Sequence, residues 1–297
     1  MTAAPDWSVI VPSYRSASTI GACLRSLHDQ DTSSTRELIV VDSSPDETAD
    51  LVEAEFPQVQ LLRLARRTEA AAARNLGTER ARGELLAFLD SDCIAPRDWL
   101  RRLEAPLRDG YDAVGGAIAN GNGESLVSWA GYLCEFREFL PGGAAHDAAN
   151  LTLGNVAYRS GIFRAAGGFP VGCFPQEDQV FHQRLRAREA HVLLDPSIVV
   201  AHTHRTVRRE FLAHQRRIGR ANARVLTLLG GSGAALARHR GLAVLALPAL
   251  LPLRYARTLL ACRGVEAGLV LRRPRLLWLC WLGMCSWGRG FVEGASA

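Results

Sequence analysis

Four short apolar runs, Ser8–Val11, Glu37–Val41, Val59–Leu64 and Leu85–Leu89, punctuate the first ninety residues. Runs of this length, bounded by polar residues, predict strands buried on both faces, as in a parallel sheet. The intervals between them have helical spacing. Ile20, Leu24 and Leu27 fall on one stripe, Thr48, Leu51, Val52 and Glu55 on a second, and Ala70 to Ala81 form a third segment. Strand–helix alternation predicts a doubly wound α/β domain with right-handed crossovers. A glycine-marked middle follows, with turns at Gly115-Gly116, Gly121–Gly123 and Gly142-Gly143, and then two more strand-like runs, His191–Leu194 and Ile198–His202. No linker-like stretch interrupts this part, so one domain is expected over residues 1–205.

In doubly wound sheets ligands bind beyond the carboxyl ends of the strands. The first strand delivers Pro12-Ser13-Tyr14-Arg15 to that edge, the second Asp42-Ser43-Ser44, and the fourth Asp90-Ser91-Asp92. Each has a plain structural use: Asp42 can cap the helix beginning near Pro45, and Asp92 can close a turn before Pro96. Three polar strand ends on one edge favour a site. Asp90 and Asp92, flanking one residue, suit a hard dication such as Mg²⁺ or Mn²⁺, which bridges carboxylates to phosphates.

Glu177-Asp178 opens an amphipathic helix marked by Val180, Phe181 and Leu185. Adjacent carboxylates there either stabilise the helix dipole or supply a general base for an attacking hydroxyl. His202 and His204 are two apart at a strand end and so share a face. Either could complete a metal shell, and either could be an exposed polar strand end.

Composition narrows this further. Hydrophobic residues make up 48% and charged residues 22%, as in a packed globular chain. The formal charge is +5 and every basic residue is arginine, which gathers beside apolar segments near the C-terminus; no nucleic-acid partner is expected. Seven cysteines show neither C-x-x-C nor zinc spacing, and no signal-peptide pattern opens the chain. A cytoplasmic location with free thiols is the expectation.

A helical region, amphipathic and then hydrophobic, is expected over 206–297. Val207, Phe211, Ile218, Val225 and Leu229 share a stripe with arginines on the other faces. Such a helix lies on an anionic membrane or covers an active-site edge. The apolar blocks Leu242–Leu253 and Leu276–Trp287 are shorter than the ~20 residues that span a bilayer. Arginines bracket both, and Trp278, Trp281 and Trp287 suit a headgroup interface. Peripheral attachment to the inner face of the cytoplasmic membrane is expected, ahead of a buried hairpin, a dimer contact or true spanning.

The series Val9-Ile10-Val11-Pro12-Ser13-Tyr14, Leu38–Ser44, Ala72–Gly77, Phe88–Asp92 and Gln176-Glu177-Asp178 resembles glycosyltransferase family 2, in order, over roughly residues 7 to 204. The resemblance implies a GT-A, Rossmann-like nucleotide-diphospho-sugar transferase fold and a metal-dependent inverting transfer. Pro12, Tyr14 and Asp42 match residues around the nucleotide base, and Arg74 and Asn75 border the donor pocket. Asp90, Ser91 and Asp92 match the segment holding ribose, metal and diphosphate, with Asp92 favoured as the direct ligand of Mn²⁺ or Mg²⁺. Asp178 matches the catalytic base, beside Glu177. His202 matches a metal-binding histidine, with His204 in reserve, and Asn155 the segment below acceptor and donor sugar.

Two departures matter. Arg15 stands where the family often has Asn. Gln215-Arg216-Arg217-Ile218-Gly219 lacks the tryptophan of the Gln-x-x-Arg-Trp motif of polymerising members, which favours transfer of a single sugar. The expected partners are a UDP-, GDP- or dTDP-linked sugar and a glycan or lipid-linked acceptor in cell-envelope or surface glycan synthesis. Two alternatives remain. A nucleotidyltransferase acting on sugar phosphates usually needs a Gly-rich phosphate loop, which Pro12-Ser13-Tyr14-Arg15 is not. A non-catalytic, membrane-bound carbohydrate-recognition protein has no reason to keep Asp42, Asp90, Asp92 and Asp178.

Overall fold

A computed structural model describes residues 4–231, 233–262 and 273–295. The chain divides into two compact units, one comprising residues up to Ile118 with Gly143–His202, the other Ala119–Gly142 with the residues from Thr203 onward.

In the first unit the alternation read from the sequence is present: β1 (Trp7–Ser13), α1 (Ile20–His28), β2 (Arg36–Asp42), α2 (Thr48–Glu55), β3 (Gln60–Arg63), α3 (Ala70–Arg80) and β4 (Leu85–Leu89). β1 and β4 are buried along their whole lengths, which is why their sequences run apolar instead of alternating. β1 pairs in parallel with β2, Ser13 opposite Asp42, and with β4, Ile10 opposite Phe88. That register brings the three polar strand ends to one edge. α3 packs close against this sheet because Gly77 has no side chain: a Cβ there would stand 2.5 Å from the Ile10 Cγ2.

The sheet continues through β5 (Cys93–Ile94), β6 (Ala113–Asn120), β7 (His146–Asp147), β8 (Asn155–Arg159) and β9 (Val192–His202). The described strands form one nine-stranded sheet, ordered β3-β2-β1-β4-β8-β6-β9-β5, with β7 also pairing β9. The mixed α/β, Rossmann-like class expected from the sequence is therefore present. β8 runs antiparallel to β4, placing Asn155 opposite Leu89. The two late runs expected as separate strands are one. Pro196 falls between the short ladders pairing β9 with β7 (His146 opposite Leu194) and with β5 (Cys93 opposite His202), where a missing N–H breaks neither.

α4 (Trp99–Arg108), α6 (Ser160–Ala165) and α7 (Glu177–Arg186) complete this unit. Phe88 of β4, Tyr158 of β8, Phe163 of α6, Phe169 of the loop that follows and Phe181 of α7 form one aromatic cluster, with Phe169 and Phe181 centroids 4.8 Å apart at 62°. Edge-on rings of this kind give α7 a fixed seat on the sheet.

The second unit is helical: α5 (Leu126–Glu135), α8 (Arg208–Leu229), α9 (Ala234–Arg238), α10 (Arg240–Ala261) and α11 (Pro274–Gly294). α8 and α11 meet backbone to backbone. A Cβ on Gly219 would lie 1.9 Å from the Trp287 carbonyl oxygen, and one on Gly290 equally close to that of Arg216. Glu293 fastens the same seam, accepting from Arg216 and, at 2.7 Å, from Arg220, which hold its carboxyl down at about 2. The stripe Phe211, Ile218 and Val225 is buried within this unit, so α8 spends its apolar face on helix packing instead of an open surface.

α10 differs. At 22 residues it is longer than its apolar block, because the helix takes in Arg240, Arg254 and Arg257; among the described residues it is the one helix long and apolar enough to cross a membrane. Its outer side is open, with Leu245 78% and Leu253 57% exposed.

Candidate active site

The strand ends are built from local hydrogen bonds. Pro12 is buried within β1, and Tyr14 just beyond it lies under the guanidinium of Arg67, 4.8 Å from the ring centroid. Arg15 takes φ +54°, and its N–H donates to the Ser44 Oγ at 2.6 Å. Ser44 in turn donates twice to Asp42, from Oγ at 2.7 Å and from its N–H at 3.0 Å. The β1 and β2 ends are thus stitched together, and the Asp42 carboxylate is held in one orientation while almost fully buried. Ser91, between the two aspartates after β4, shares a 2.7 Å hydrogen bond with Ser16.

Arg74 is the hub of the next layer. From a buried position on α3 it donates to Asp90 at 2.5 Å and to Glu177 at 3.1 Å. Burial works against its charge, but the two carboxylates outweigh it and hold the guanidinium firmly protonated. On the other side burial pushes Glu177 up to about 7, against the pull of Arg74. Next to it Asn75 makes a paired contact with the Phe169 backbone, donating to the carbonyl at 2.8 Å and accepting from the N–H at 2.9 Å. Gly168 makes room for this, with φ +67° and a Cβ position 2.8 Å from the Asn75 Oδ1. The Arg74-Asn75 pair therefore holds both the strand-end carboxylate and the loop leading to α7.

Asp178 is at the N-terminal turn of α7, where its Oδ2 accepts from Asn150 at 2.8 Å. Burial raises its pKa to about 6, although the Asn150 hydrogen bond favours the charged form. Beneath it His182 contacts the Asp178 carbonyl at 2.8 Å and the Tyr158 hydroxyl at 3.0 Å. Burial lowers His182 to about 4, so the ring is neutral: Nδ1–H donates to the carbonyl and Nε2 accepts from the tyrosine. A carboxylate with a pKa near neutrality at a fixed helix start is equipped to take a proton.

Asp92 stands beside His202, Oδ1 to Nε2 3.4 Å. Together with Cys93 they form a group whose candidate ligand atoms all lie within 4.8 Å of one another. Carboxylate oxygen and imidazole nitrogen are a donor set that fits a divalent transition metal. Asp90, engaged with Arg74, is outside this group. His204 belongs to the second unit, its ring between those of Tyr132 and Phe136 at 5.5 and 5.6 Å. Asn155 is fully buried, its amide accepting from Trp99 Nε1 at 2.8 Å and donating to the Ala117 and Ile198 carbonyls, so it braces the sheet. Sequence reading passed over Cys93, Asn150 and the Tyr158–His182 pair, none of which carries a local pattern; each depends on a tertiary neighbour.

A family model for glycosyl transferase family 2 matches residues 8–166, more than half of the chain. The chain belongs to this family. Among curated relatives, the succinoglycan biosynthesis protein ExoO of Rhizobium meliloti is 38% identical over 119 residues, covering 40% of this chain and 33% of that protein. The pre-mycofactocin glycosyltransferase of Mycobacterium tuberculosis is 29% identical over 79% of this chain and 48% of its own length. The match thus takes in between a third and a half of each of these relatives. Among solved structures, the mannosyltransferase PcManGT of Pyrobaculum calidifontis, in complex with GDP-Man and Mn²⁺, superposes with a TM-score of 0.65 at 21% identity, covering 99% of this chain and 88% of that one. That likeness is one of fold. The matched residues take in the strand ends that carry Asp42, Asp90 and Asp92 and stop short of α7.

Proposed function

We propose that this chain is an inverting, metal-dependent glycosyltransferase that moves one sugar from a nucleotide-sugar donor to an acceptor hydroxyl. The observation that carries this reading is the linkage through Arg74, which ties Asp90 at the donor edge to Glu177 and hence to the helix that starts with Asp178. Tyr14 and Asp42 supply a ring face and an oriented carboxylate for the nucleoside. Asp92 and His202 would hold Mn²⁺ or Mg²⁺, which when bound supplies positive charge for the departing diphosphate. Asp178 takes the proton of the attacking hydroxyl, and Asn150 keeps its carboxylate turned one way. The attack comes from the face opposite the leaving group, so the anomeric configuration inverts.

The absence of the tryptophan after Gln215-Arg216-Arg217 supports single transfer over polymerisation. Relationship to a succinoglycan biosynthesis protein supports an acceptor among cell-envelope or surface glycans, free or lipid-linked. The open apolar side of α10, with arginines along the helix, supports peripheral attachment to the inner face of the cytoplasmic membrane. Screening UDP-, GDP- and dTDP-sugars by thermal shift with Mn²⁺ tests the donor half: one nucleotide class should stabilise the protein, and stabilisation by none would overturn it.

A further inference from the structure

The residue after Asp92 is a cysteine, and the fold turns it toward the same point as His202. β5 is only two residues long, and its first residue, Cys93, is directly opposite His202 in the antiparallel ladder with β9. Opposed residues in such a ladder project from the same face of the sheet. The Cys93 Sγ is 4.0 Å from the Asp92 Oδ1, and the His202 Nε2 is 3.4 Å from that same oxygen. Oxygen from the turn before β5, sulfur from β5 and nitrogen from β9 thus lie close together. Gly154 lies alongside: a Cβ there would stand 3.7 Å from the Cys93 Sγ and 3.1 Å from the Asp90 Oδ2.

We propose that Cys93 is a third ligand of the metal centre, so that the site takes a thiophilic dication such as Zn²⁺ or Co²⁺ in preference to Mg²⁺. This rests on the reading that Asp92 and His202 hold the metal. A hard cation such as Mg²⁺ gains little from sulfur, whereas zinc and cobalt combine well with thiolate and imidazole. Three protein ligands leave a tetrahedral ion one position for an oxygen of the substrate, the arrangement of an open zinc site. Separately, affinity at a mixed N/O/S site rises from Mn²⁺ through Co²⁺ in the divalent series, so the ordering favours the thiophilic ions before the thiol is counted. The chain would then discriminate among metals by one side chain next to its carboxylate pair.

Cobalt reports both parts of the claim. Titrating Co²⁺ into the full-length protein should give visible d–d bands together with a near-ultraviolet sulfur-to-cobalt charge-transfer band. Cys93→Ser should keep the d–d bands and lose the charge-transfer band, and its affinity for Zn²⁺, measured by competition with Co²⁺, should fall about tenfold or more. Mn²⁺ affinity should fall less than Zn²⁺ affinity, since the harder ion gains less from sulfur. A charge-transfer band that survives Cys93→Ser, arising from another thiol, overturns the inference. Wild-type d–d bands without charge transfer also overturn it, leave the Asp92–His202 reading intact, and need no variant to fold. No cobalt spectrum at all overturns both.

Discussion

Arg74 and Glu177, 103 positions apart in the chain, form a buried ion pair at 3.1 Å. The other guanidinium nitrogen reaches Asp90, so one side chain neutralises a carboxylate from each of two elements. Without it, the buried Glu177 carboxyl would be driven further toward its neutral form and Asp90 would lose its cationic partner.

Removing Arg74 is therefore costly. Arg74→Ala should destabilise the protein by about 3–5 kcal/mol, because it removes one partner of a buried, hydrogen-bonded ion pair. Arg74→Lys should recover only part of this, since an ammonium is a point charge and cannot fork between two partners. Urea denaturation followed by circular dichroism measures both. Wild-type stability in Arg74→Ala would contradict the bridging role.

The acidic limb of the pH–rate profile should report Asp178. As a base it works ionised, so kcat/KM should rise with pH through about 6 and fall away below it. The Asn150 hydrogen bond favours the charged form, so Asn150→Ala should move that limb to higher pH. A limb that stays in place excludes Asn150 from tuning the base.

Within the helical unit, the seam between α8 and α11 depends on absent side chains. Gly290→Ala puts a methyl 1.9 Å from the Arg216 carbonyl oxygen, on backbone that cannot move cheaply. A loss of about 1–3 kcal/mol or more is expected from such overpacking. Gly241→Ala, where a Cβ meets nothing within 4 Å, is the matched control. Comparing their thermal melting temperatures settles the point, and equal values would contradict the close approach.

Much of this architecture was legible in the sequence. β4 and α2 have the residue limits that the apolar runs and helical spacing predict, because buried parallel strands and amphipathic helices leave unambiguous periods. The carboxylates at the strand ends were legible for the same reason, since the strands that position them were. Other features were not. β9 read as two strands because Pro196 breaks the pattern locally, while the pairings with β7 and β5 on either side of it join residues far apart in the chain. The three bonds of Asn155 were not legible either, because their partners lie on α4, β6 and β9, distant along the chain. Cys93 carried no signal, as a two-residue strand has no period and its partner His202 is far along the chain.

The exposed side of α10 makes a binding prediction. Vesicles containing anionic lipid should retain the protein at low salt, and Leu245→Glu should reduce retention by placing charge on the most open apolar position of that helix. Leu245 is 78% exposed, so the substitution should leave stability within about 0.5 kcal/mol. Equal retention of the two proteins would contradict lipid contact through α10.

The transferase reading as a whole is tested most directly by turnover of Asp178→Asn. With Mn²⁺, the preferred nucleotide sugar and an envelope-glycan acceptor, wild-type protein should release nucleoside diphosphate. The variant should bind the same donor with unchanged affinity and transfer about 10²–10⁴-fold more slowly. Undiminished release by Asp178→Asn, or no release by wild-type protein from any sugar nucleotide, would contradict the account.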